Sequence, residues 1–203
     1  MADGSAYRID ASWYRTGNMR YIPLGIVRGF HRPTEFGRRA MTALITAELM
    51  DATWQHVAGA SAARIAVMQN QCNKHQPALL EFVVGATASL PEEAAGLAMY
   101  AYLVIFQAFM RSGAALRKVR ETDILSQWEA SGRSIAGLRT RGERTASAML
   151  ALECAEPNVL DYIAGALEYD EEDPIDLTDE EYWHIVHVLL TATECLHQAR
   201  KRR

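Results

Sequence analysis

"AAGLAMYAYLVIFQAFM", residues 94–110, is the most hydrophobic run in the chain, and the fold turns on whether it lies in a bilayer or in a protein core. A membrane helix needs about 20 apolar residues at roughly 1.5 Å each, so this run sits at the short limit. It also contains Gln107 and many alanines, and no second candidate span stands beside it. It reads as the buried central helix of a bundle, and no membrane association is expected. Ser89 and Glu92 have capping-box spacing ahead of it, and Gly113 is placed to end it.

The flanking sequence carries the same helical signature. Ala, Leu, Met, Glu and Arg dominate over Val, Ile and Thr, a bias toward helix over sheet. Thr34 can cap a helix in which Phe36, Ala40, Ala43, Leu44, Ala47 and Trp54 recur at helical spacing, with Gly59 as its stop. A second helix is predicted over 60–74 with Ile65, Ala66 and Met68 inward, and a third opens at Pro77. Residues 114–156 read as helix interrupted near Gly132, Gly137 or Gly142. Pro157 opens another helix to about residue 169, and Thr178 with Glu181 forms a capping box for the last one. The expectation is an all-α, multi-helix bundle of about six to seven helices with an irregular N-terminal arm. Residues 1–33 form the extended aromatic and basic arm. Residues 34–203 form a single helical domain with an acidic linker at 168–179.

Charge is segregated along the chain. Residues 1–40 hold seven arginines against three acids, and residues 111–144 hold eight basic residues against four acids. Residues 168–181 hold nine acids and no base, while the whole chain carries a net charge of −4. The overall acidity and the absence of a recognition-helix signature argue against nucleic acid as the main partner. The arm "SWYRTGNMRY" (12–21) nevertheless combines aromatics with arginines, which supports a nucleic-acid accessory role as an alternative. Three widely spaced cysteines make no disulfide framework, and the first residues lack a secretory pattern, so a cytoplasmic setting is expected.

The most chemistry-like stretch is "EEYWHIVHVLLTATECLH" (180–197). On a wheel of about 100° per residue, Glu180, His184, His187, Thr191, Glu194 and Gln198 form one polar stripe opposite Ile185, Val186, Leu189, Ala192 and Leu196. The stripe reads first as a face turned to solvent or to a partner. Its metal reading uses Glu180, His184 and His187 as ligands for a transition metal such as zinc. Glu180 and His187 lie about 10 Å apart along the axis, so a second helix would have to complete such a site. No nucleophile elbow, phosphate loop or dinucleotide fingerprint is present, and the acidic linker lacks the central glycine of a calcium loop. No cofactor is implied. The function expected is a cytosolic helical-bundle protein that self-associates, as a homodimer, and acts through protein partners. A metal-dependent enzyme or metal sensor on the histidine stripe is the other reading.

Overall fold

The computed structural model describes residues 45–139, 154–167 and 176–200. The N-terminal arm at 1–33, the helix start at Thr34, the Gly142 break and most of the acidic linker lie outside the described residues. Seven helices make up the described fold: α1 (Ala47–Ala58), α2 (Ala62–His75), α3 (Pro77–Thr87), α4 (Glu92–Arg111), α5 (Glu121–Arg139), α6 (Pro157–Ala166) and α7 (Asp179–Gln198). The protein is an all-α, multi-helix bundle, as the periodicity predicts.

Local chemistry sets most of the helix ends. Thr46 caps α1 by accepting from the Leu49 N–H, and Gly59 closes it. Ser61 caps α2, and Pro77 and Pro157 occupy the first turns of α3 and α6, where a missing N–H costs nothing. The Thr178/Glu181 capping box is formed in both directions. The expected Ser89/Glu92 box is not formed. Pro91 is the residue before α4, and no side chain caps that helix. Gly113 carries φ of +75° after α4, the left-handed conformation in which a side chain would be strained.

α4 is the core helix anticipated from residues 94–110. It is long and apolar enough to cross a membrane, but its side chains from Ala94 to Phe109 are largely buried against α1, α2, α3, α6 and α7. Its buried amide, Gln107, donates to the Gln71 side chain at 3.3 Å. In α2 the inward set is smaller than expected: Met68 and Cys72 are buried, Ile65 is half-buried and Ala66 is exposed.

One sequence expectation fails for a tertiary reason. The stretch "AALRKVR" (114–120) has good helix formers but runs extended. The Arg117 N–H donates to Ala199 O at 2.8 Å, and Leu116 pairs with Arg200 in an isolated antiparallel bridge. The buried Gln76 side chain then acts as a strand neighbour, donating to Arg117 O at 2.9 Å and accepting from the Val119 N–H at 2.8 Å. These bonds outweigh a propensity worth only tenths of a kcal/mol per residue. Further on, α5 runs through Gly132 and Gly137 to Arg139, and the third of the expected break points, Gly142, lies outside the described residues.

Candidate functional site

The last helix is not a surface helix. α7 is packed by α3, α4, α5 and α6, so its apolar face is buried and its polar stripe half-buried along the middle. Glu180 and Gln198, at its two ends, are exposed; Thr191, at its middle, is buried with no partner for its hydroxyl. Of the two expectations for the stripe, solvent or a partner, the solvent one holds at its ends only, because α3 and α5 pack against its middle.

His184 and His187 point into the junction of α3, α5 and α7. His184 Nε2 lies 2.6 Å from Ala86 O, and His187 Nε2 lies 2.8 Å from Trp128 O. A carbonyl only accepts, so each ring carries its proton on Nε2 and donates. The His187 ring also stacks on the Trp128 indole, with centroids 3.4 Å apart and planes 12° from parallel. Phe82 of α3 and His184 meet the same indole edge-on, at 5.5 Å and 6.2 Å. Gly132 makes this stack fit: a Cβ there would stand 3.1 Å from His187 Cε1. Burial holds the His187 pKa below its usual value, opposed by the bond to Trp128 O and assisted by neighbouring His184.

A second polar cluster ties the far end of α7 to the start of α6. Glu156 is fully buried; one carboxylate oxygen accepts from the Ile45 N–H at 3.0 Å and the other from His197 Nδ1 at 2.6 Å. Arg200 Nη2 approaches His197 Nε2 at 2.6 Å. Guanidinium only donates, which fixes His197 as the neutral Nδ1–H tautomer, linking a cation to a buried carboxylate. Beside it, Glu194 accepts from the Ala155 N–H at 2.7 Å, and Asn158 donates to Ile45 O at 2.8 Å.

The sulfur atoms are equally enclosed. All three cysteines are free thiols. Burial pushes the Cys195 thiol up to about 12 and raises Cys72 and Cys154 further, with Glu194 adding to the rise at Cys154. These thiols stay protonated and are poor nucleophiles and poor ligands at neutral pH. At the outer edge of α5, bonds from Arg120 and Arg117 hold the Asp123 carboxyl well below the usual carboxylate range.

Glu180, His184 and His187 therefore occupy one helix as expected but do not converge. Glu180 is exposed at the first turn, while each histidine has Nε2 closed on a carbonyl of a different helix. Among the described residues, no group of three His, Cys, Asp or Glu side chains is placed to hold a metal ion. Sequence reasoning missed Trp128, Gly132, Gln76 and Glu156. Glu156 carried a usable signal, an acid directly before a helix-opening Pro157; the other three become visible only when α3, α5 and α7 are brought together. No protein-family model matches the chain, and neither a curated protein nor a solved structure matches it.

Proposed function

We infer that this chain is a helical scaffold that self-associates, as a homodimer, and works through protein partners in the cytoplasm rather than through chemistry at its histidines. One observation carries the reading: His184, His187 and His197, the chemistry-bearing residues of α7, each close a ring nitrogen on a group from another element. Polar side chains spent in this way stiffen a scaffold. They are not aimed at a substrate. Free, largely buried thiols support a reducing compartment.

The test is sedimentation of the full chain across micromolar concentrations. A dimer is expected, and deletion of residues 1–30 should weaken it if the arm takes part. A strict monomer at every concentration overturns the self-association reading.

A further inference from the structure

α7 separates two clusters of opposite charge. Its 20 residues span about 30 Å. At its start Asp176, Asp179 and Glu180 are exposed, within a stretch holding nine acids and no base over 168–181. Glu92 and Glu93 join this end: they are exposed at the start of α4, six and seven residues after Ala86, whose carbonyl is bound by His184 in the second turn of α7.

The opposite end is basic, and only the fold makes it so. The Leu116–Arg200 bridge lays "RKVR" (117–120) beside Arg200, after which the sequence continues Lys-Arg-Arg. Gln76, bonded to both Arg117 and Val119, brings the end of α2 and the exposed Lys74 to the same place. Asp123 engages Arg117 and Arg120, yet the Arg120 side chain remains 72% exposed, and Lys118 is exposed beside it. Exposed Glu121 lies at the margin.

The acids at 176–180 cannot neutralise this basic end within one chain. They are anchored to the far end of α7, and at physiological salt the screening length is only about 8 Å. We propose that the basic end docks the acidic end of a second copy of this chain, with the two α7 helices antiparallel. A two-fold axis then makes each contact twice and closes the assembly. This inference rests on the self-association reading above and names the surface responsible. A nucleic acid fits the basic end less well. Among the described residues no large aromatic is exposed to stack bases, and the acidic end of the same molecule repels a polyanion.

The experiment uses two charge-reversed full-length variants at exposed positions: Lys74→Glu with Lys118→Glu, and Asp176→Lys with Glu180→Lys. Sedimentation of each alone should show a dimer Kd raised about tenfold or more, as expected when several exposed pairs turn repulsive together. An equimolar mixture of the two should regain the wild-type Kd, because both contacts are again attractive. High salt should weaken the wild-type dimer and the mixture alike. A wild-type monomer overturns the self-association reading and this inference with it. A wild-type dimer indifferent to both reversals overturns only the docking surface. Reversals that weaken the dimer without rescue on mixing also overturn it, as does salt-sensitive binding of a single-stranded oligonucleotide that Lys74→Glu with Lys118→Glu abolishes.

Discussion

α4 and α7 are both 20 residues long and both lie in the core, yet they are buried by different means. α4 is apolar almost all round, and its interior amide finds another amide. α7 carries two histidines and a glutamate along a half-buried stripe and a third histidine, His197, off it, and these side chains bond to Ala86 O, Trp128 O, the Ala155 N–H and Glu156. The lesson is that hydrophobicity identifies burial only where neighbours offer no polar partners. A polar stripe becomes a second interior face once backbone groups are waiting for it.

The largest expected effects test whether the two means are equally strong. Phe106→Ala in α4 should cost about 3–5 kcal/mol through lost burial and the cavity left behind. Glu156→Ala should cost a similar amount, about 3–5 kcal/mol, because it strands the Ile45 N–H and the His197–Arg200 pair in the interior. Urea unfolding of both variants measures this. A Glu156→Ala loss below about 1 kcal/mol would show that the polar tie contributes little and that apolar packing alone holds α7.

A sharper contrast comes from removing single elements of the α7 design. Thr178→Ala deletes half of a formed capping box and should lower stability by about 1 kcal/mol. In α5, Gly137→Ala meets open space and should stabilise by about 0.5–1 kcal/mol, the ordinary helical gain. Gly132→Ala should instead destabilise, since the new Cβ presses on a His187 ring that is stacked on Trp128 and hydrogen-bonded to it. If both alanines stabilise equally, the close approach at Gly132 is not what positions α5.

The smallest effect is a pH slope. His187 has a folded pKa below its unfolded one, so below the unfolded value of about 6.5 the unfolded chain binds more protons. Its contribution to stability is complete above that value and declines as the pH falls from there through the depressed folded value. His187→Phe should flatten the fall in melting temperature below about pH 6.5. An unchanged slope would assign the acid sensitivity to other groups.

Much of the bundle was legible because its signals are local. Gly59, Pro77, Gly113, Pro157 and the Thr178/Glu181 pair mark boundaries through one or two backbone bonds within a turn, and α4 declares itself by an apolar run interrupted only by Gln107. What stayed hidden depends on residues far apart in sequence. Nothing near "AALRKVR" announces that Ala199 and Gln76 will hold it extended. Nothing near Gly132 announces a histidine ring 55 positions later. The candidate metal residues Glu180, His184 and His187 lie on α7, but a wheel built from that helix alone shows where they point and not what awaits them. Their surroundings come from α3 and α5.

The Glu156 carboxylate also orders events in time. Its two bonds join residues separated by 111 and 41 positions, so each carries the loop-closure cost of bringing distant parts of the chain together. Because that cost precedes the gain, both bonds are expected to form late on the way to the native state. Substitutions at Glu156 should therefore leave the refolding rate nearly unchanged and quicken unfolding, so that this one side chain governs how long the bundle persists once made.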